Sequence, residues 1–108
     1  MQHRPMIRVM DETQPGQDTQ HYVLKGKFHG TEECYTLLEA IREGLDEGIL
    51  NVRLEMSDVV MINSCGVGII AAMATAVGER DGQIELVGLQ DRCRKVLELT
   101  HLNEFLVM

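Results

Sequence analysis

Ser64 is the residue whose type and setting point most directly to chemistry. It lies in Val59-Val60-Met61-Ile62-Asn63-Ser64-Cys65-Gly66-Val67-Gly68. Four apolar residues open that stretch, and their β-branched content predicts a buried strand. Asn63 and Ser64 break the run, and a helix built of small residues is predicted from Ser64 to Glu79. Asn63 occupies the N-cap position, where its side-chain oxygen can accept from the unpaired amides of the first turn. The Ser64 hydroxyl therefore falls at the positive end of a helix, just past the carboxyl end of a strand. Negative charge added there is tolerated by the host domain and felt by anything docked against it.

No other group of residues forms a catalytic signature. Cys65 sits in the first helical turn, where a thiol can become nucleophilic. On a helical wheel it points to the flank of the core face, so a small buried thiol is expected. A thiol enzyme using Cys65 is the reading from the enzyme class, tested by mild alkylation. His3, His21, His29 and His101 lie in a tail, at a strand start, at a strand end and in a loop, and surface positions are expected for all four. The chain has no G-x-x-x-x-G-K-[ST] phosphate loop. Gly66-x-Gly68 lacks the third glycine of a dinucleotide fingerprint. No cofactor or metal is implied.

Composition narrows the partners. The 108 residues carry 17 acidic and 10 basic side chains, a net charge of −7. Nucleic acids and anionic membranes both call for a basic surface, so neither is an expected partner. The chain has no Trp, which argues against stacking platforms for single strands. Its three cysteines, Cys34, Cys65 and Cys93, are far apart and form no C-x-x-C pair, so neither a disulfide framework nor a zinc site is indicated. No apolar h-region follows Met1, and no run of about 20 apolar residues occurs. A cytoplasmic protein without direct membrane insertion is expected. The length suits one domain, residues 1–108, with 1–5 as a flexible tail.

The elements that must position Ser64 follow from periodicity. Met6–Met10 reads as a first strand. Asp11–Gln20 reads as a polar loop with a Pro15-Gly16 turn. A second strand is predicted from Tyr22 to Lys27 or Phe28, pairing antiparallel with the first. Thr31–Glu47 is an amphipathic helix with Cys34, Leu37, Leu38, Ile41 and Leu45 inward, capped by Thr31 and ended by Gly48. Its acidic outer face is read as solvated. Asn51–Met56 is a third strand. Ser57-Asp58 marks a turn or bulge, after which Val59–Ile62 either continues the strand or forms a separate extension. Gln83–Leu89 is a fourth strand. Gln90–Leu99 is a short helix with Cys93, Val96, Leu97 and Thr100 on one side. Phe105–Val107 adds an edge strand or packs on the core.

The predicted Ser64–Glu79 helix has two faces. Gly66, Ile69, Ile70, Met73 and Val77 should face the core. Ser64, Gly68, Ala71 and Thr75 form a low ridge on the other side, without the Lys or Glu usual on a wetted face. The ridge is either a docking surface or is covered by another helix of the same domain.

These segments resemble one family throughout. Glu55-Met56-Ser57-Asp58-Val59-Val60-Met61-Ile62-Asn63-Ser64-Cys65-Gly66-Val67-Gly68 is similar to the D-L-S-x-V-x-x-[ILMF]-D-S-[ST]-G-[LV]-G pattern of STAS domains of the bacterial anti-sigma-factor antagonist type. Gly82–Gly88 resembles that family's G-x-x-[ILV]-x-L-[VT]-G strand. Val96–Leu102 resembles its V-L-x-x-[ST]-G-L segment, and Leu24–Phe28 its L-x-G-x-[LF]. The resemblance implies an α/β fold: one STAS-like domain with a mixed, mostly parallel sheet of four to five strands and three to four helices packed mainly on one face.

It also implies a phosphorylation switch rather than an enzyme. Carried over by position, Ser64 is the phosphoacceptor. Asn63, Cys65, Gly66, Val67, Gly68, Ala71 and Thr75 form the partner-binding surface. The implied partners are an anti-sigma factor that is a GHKL-type serine kinase, bound when Ser64 is unmodified, and a PP2C-type phosphatase that resets the switch. Three positions depart from the pattern. Asn63 replaces Asp, Cys65 replaces Ser or Thr, and His29 stands where Asp often follows the second strand. The departure at Asn63 motivates the alternative: a non-switching STAS scaffold, or an accessory subunit of a signalling complex or of a lipid or solute transporter.

Overall fold

The computed structural model describes residues 6–108; the expected tail, residues 1–5, lies outside them. The first strand, β1 (Ile7–Asp11), pairs antiparallel with β2 (Thr19–Phe28). A helix, α1 (Glu32–Asp46), leads to β3 (Asn51–Ile62), which runs parallel to β2. A second helix, α2 (Ser64–Gly78), leads to β4 (Ile84–Val87), parallel to β3. The sheet order is β1-β2-β3-β4. Both crossovers step the same way across the sheet. Right-handed connections then place α1 and α2 on the same face, where they pack against each other. The other face carries polar cross-strand pairs. His21 Nε2 lies 3.5 Å from Glu55 Oε2, and Arg53 Nε lies 3.0 Å from Glu85 Oε1. This is the one-sided α/β architecture expected.

The core lies between the sheet and the two helices. Leu24, Phe28, Leu54, Met56, Ile41, Ile70 and Met73 are fully enclosed there. One polar side chain joins them. Gln20 donates from Nε2 to the carbonyls of Ile41 and Ile49, both at 3.0 Å, and its Oε1 accepts from the Tyr22 hydroxyl at 2.8 Å. This satisfied network explains why β2 begins at Thr19, three residues before the predicted start. A buried glutamine with every polar group paired is compatible with a strand interior, although its residue type reads as loop. Gly44 of α1 faces the same side chain and leaves no room there for a Cβ.

Several boundaries follow prediction. Gly48, at φ +87°, ends α1 in a Schellman turn, with Gly48 N–H donating to Leu45 O and Ile49 N–H to Gly44 O, each at 2.9 Å. Thr31 holds the N-cap position of α1, but its side chain caps no amide. A third helix, α3 (Asp91–Leu99), buries Cys93 and Leu97; Val96 is half-buried and Thr100 is exposed, so the inward face is narrower than expected. The Cys93 thiol points at the Val59 carbonyl, 3.5 Å away, and its burial raises the thiol pKa. A 3-10 turn, Leu102–Phe105, follows. Leu106 is buried, while Val107 N–H donates to Ile84 O (2.9 Å) and Leu86 N–H to Val107 O (2.8 Å). The last residues thus both pack on the core and extend the sheet by one bridge.

Candidate functional site

The site is built by an irregularity in β3. Ser57-Asp58 does not end the strand; all of Asn51–Ile62 is one strand. Its register with β2 slips twice. Val23 pairs with Glu55 and Lys25 with Asp58; then Gly26 pairs with Val59 and Lys27 with Met61. Each slip inserts one extra residue into β3, as a β-bulge does. The second bulge breaks the inward alternation. Val59 and Ile62 remain buried, but Val60 is 41% and Met61 36% exposed. The buried strand expected at Val59–Ile62 is therefore only half buried. Two apolar side chains beside Ser64 face solvent, and sequence periodicity gave no sign of it.

Asn63 then turns the chain into α2. Its extended backbone (φ −97°, ψ −178°) is the N-cap conformation. Oδ1 accepts from Gly66 N–H at 2.8 Å, and the Asn63 carbonyl accepts from Val67 N–H at 2.9 Å. Asn63 N–H donates to Phe28 O at 3.3 Å, tying the helix start to the end of β2. Gly66 makes that approach possible. A Cβ there would collide with the Phe28 carbonyl and stand 2.9 Å from the Phe28 ring. Among the described residues, no hydrogen bond takes the amides of Ser64 and Cys65. The Ser64 side chain is exposed. A hydroxyl and two free amides thus share the first turn, where the helix dipole favours an anion.

The two faces of α2 match the wheel. Gly66, Ile69, Ile70, Met73 and Val77 are buried, joined by Ala74. Ser64, Gly68 and Thr75 are exposed, and Ala71 is half-buried. Nothing lies within 4 Å of a Cβ built on Gly68. Among the described residues, no helix covers the ridge at Gly68; its second half is flanked by Leu102 and Phe105. Of the residues expected on the partner-binding surface, Gly66 is instead buried against Phe28 and Val67 is half-buried against the core.

Cys65 corrects the expectation of a buried thiol. It is exposed in the first turn of α2, while its neighbour Gly66 takes the inward position. Its neighbour is Gly30, at φ +77°, whose Cβ would stand 2.6 Å from Cys65 Cβ. The His29-Gly30 corner therefore borders the site. Two histidines are also less exposed than expected: His21 and His29 are half-buried; His29 Nε2 is closed off from solvent without a hydrogen-bond partner among the described residues, and His21 Nε2 has only the Glu55 carboxylate, 3.5 Å away and not aligned as a hydrogen bond. His101 is exposed. No three His, Cys, Asp or Glu side chains converge as a metal site among the described residues, and no described helix is long and apolar enough to cross a membrane.

Comparison with known proteins places this geometry. Solved structures share the fold at low identity. An anti-sigma factor antagonist from Mycobacterium paratuberculosis superposes with a TM-score of 0.73 at 21% identity, covering 93% of this chain and 82% of that one. The Bacillus cell fate determinant SpoIIAA in its phosphorylated form gives 0.70 at 15%, covering 94% and 88%. A sulfate transporter family protein from Wolinella succinogenes gives 0.65 at 20%, covering 81% and 70%. A search of the curated proteins found no significant match. The STAS domain model matches residues 30–108, a span that includes the β3–α2 junction and the whole of α2. The chain belongs to the STAS domain family.

Proposed function

We propose that this chain is an anti-sigma-factor antagonist working by partner exchange, with Ser64 as phosphoacceptor. The observation that carries the reading is the exposed Ser64 hydroxyl at the first position of α2, beside two free amides and an open Gly68. Unmodified, the surface of Met61, Asn63, Ser64, Cys65, Gly68, Ala71 and Thr75 binds an anti-sigma factor that is a GHKL-type serine kinase. Transfer of a phosphoryl group to Ser64 adds about −1.5 to −2 charge. The free amides and the helix dipole accept that charge, so the domain stays folded. The partner meets bulk and charge where it needs close contact, and is released. A PP2C-type phosphatase restores the hydroxyl. The chain supplies the acceptor and the docking surface; the catalytic groups belong to its partners. Asn63 keeps the cap without a carboxylate beside the hydroxyl, so the kinase supplies the base that activates Ser64.

Incubation with the cognate kinase and ATP, followed by phosphopeptide mapping, tests the assignment. Label on Ser64 supports it. Label absent from Ser64, together with wild-type partner binding by Ser64→Asp, rejects it. The missing carboxylate at Asn63 favours one second reading, a STAS subunit that does not switch, in a signalling scaffold or beside a transporter. A transporter ATPase as the principal bound protein in a native pull-down would favour that reading.

A further inference from the structure

A groove outside the Asn63–Gly68 motif runs between the second half of α2 and the 3-10 turn. Its volume is about 440 Å³, and it is lined by Ala71, Ala74, Thr75, Gly78, Leu102 and Phe105, with Glu79 at its edge. Phe105 is 68% exposed, and nearby Leu99, at the end of α3, is 71% exposed, the two most exposed large apolar side chains among the described residues. The α2 wall is low. Gly78 has open space where a Cβ would be, and Gly68, Ala71, Thr75 and Gly78 follow one another at alternating three- and four-residue steps. That spacing is the seam against which a second helix packs. From Ser64 to Gly78 it is about 21 Å long, at 1.5 Å per residue.

The charges around the groove select the occupant. Glu79 lines it and Glu104 directly precedes Phe105 in the 3-10 turn, and both are exposed. The basic side chain in the adjoining turn, Arg80, is turned away and engaged by Asp46 and the Leu45 carbonyl. A second copy of this chain would bring the same acidic rim and a net charge of −7 against it, which disfavours self-association through this face. We propose that the groove seats the apolar face of an amphipathic helix whose flanks carry Lys and Arg, presented by the partner protein. Large apolar side chains of that helix lie over Ala71, Ala74 and Gly78 against Phe105, and its cations meet Glu79 and Glu104. The groove continues the ridge that starts at Ser64, so one helix can read both. The inference rests on the switch reading only for which protein carries the helix.

Two synthetic helix-stapled amphipathic peptides of about nine residues, long enough at about 1.5 Å per residue to fill the groove without reaching Ser64, with the same Leu/Phe face, one flanked by Lys and one by Glu, test it by NMR titration of the isotopically labelled chain. The expected result is saturable shifts at Ala71, Ala74, Gly78, Leu102 and Phe105 with the Lys peptide, at least tenfold tighter than with the Glu peptide. The double variant Glu79→Lys/Glu104→Lys, exposed at both sites, should reverse that preference, and Phe105→Ser should weaken both peptides. Ser64→Asp should leave binding of a peptide confined to the groove within twofold, so failure of the switch and failure of the groove are separable. Equal affinity for the two peptides, shifts mapping elsewhere, or concentration-dependent shifts of the same amides without peptide, the signature of a second copy, would each overturn the proposal.

Discussion

Asn63 Oδ1 accepts a hydrogen bond from the Gly66 amide at 2.8 Å, and this contact fixes where α2 begins. It closes the first turn on one side and leaves the Ser64 and Cys65 amides free on the other. Asn63→Ala should therefore lower the unfolding free energy by about 1 kcal/mol. Asn63→Asp keeps the acceptor and adds a charge favourable to the helix dipole, so stability should be retained or rise slightly. Urea denaturation of both variants checks this.

Gly66 and Gly68 are two residues apart with opposite surroundings. A methyl at Gly66 runs into the Phe28 carbonyl, whereas one at Gly68 meets open space. Gly66→Ala should destabilise the domain by about 1–3 kcal/mol through overpacking. Gly68→Ala should stabilise it by up to about 1 kcal/mol through helix propensity. If the ridge is the docking surface, Gly68→Ala also weakens partner binding while the fold becomes more stable. Denaturation and a binding isotherm on the same preparation separate the two effects.

Tyr22 gives the domain an alkaline limit. Burial, reinforced by the negative charges of Asp11, Glu43 and Glu47, raises its phenol pKa from 10.0 to about 12. A folded-state pKa above the unfolded value means that the unfolded chain releases this proton first. The contribution is complete below pH 10 and is lost as pH rises from 10 toward about 12. The loss is of order 2 kcal/mol. Tyr22→Phe should flatten this part of the stability profile. It should also cost about 1–2 kcal/mol at neutral pH by leaving Gln20 Oε1 without its donor.

Met61, on β3 rather than on α2, provides a test of the docking surface outside the helix. It is partly exposed beside the site and lies outside the fully enclosed core. Met61→Ser should change stability by no more than about 0.5 kcal/mol, as exposed substitutions usually do. Loss of partner affinity without loss of stability would place Met61 in the interface.

How much of this could be read from sequence varied with the kind of signal. The faces of α1 and α2 were legible because a helix repeats its burial every three to four residues, and Ile69, Ile70, Met73 and Val77 fall in step. The cap was legible because Asn before a helical run has few other roles. The first bulge in β3 was legible as the break at Ser57-Asp58, but the second, beside Val60, was not. A bulge shifts the inward phase by one residue, and Val60 does not differ in type from an ordinary strand residue. Periodicity consequently places Val60 and Met61 inside when they face out, and the helical wheel does the same for Cys65. Gln20 failed in the opposite sense, since its burial depends on two carbonyls more than twenty residues away in the chain.

The proposed switch requires a phosphoryl group on Ser64 to separate the chain from its kinase. Calorimetric titration of the anti-sigma serine kinase with the unmodified chain and with the Ser64-phosphorylated chain measures this directly. A charge set into a desolvated contact costs about 2–5 kcal/mol, so the phosphorylated chain should bind at least about 30-fold more weakly. Equal affinity of the two forms, with both folded, would contradict the account.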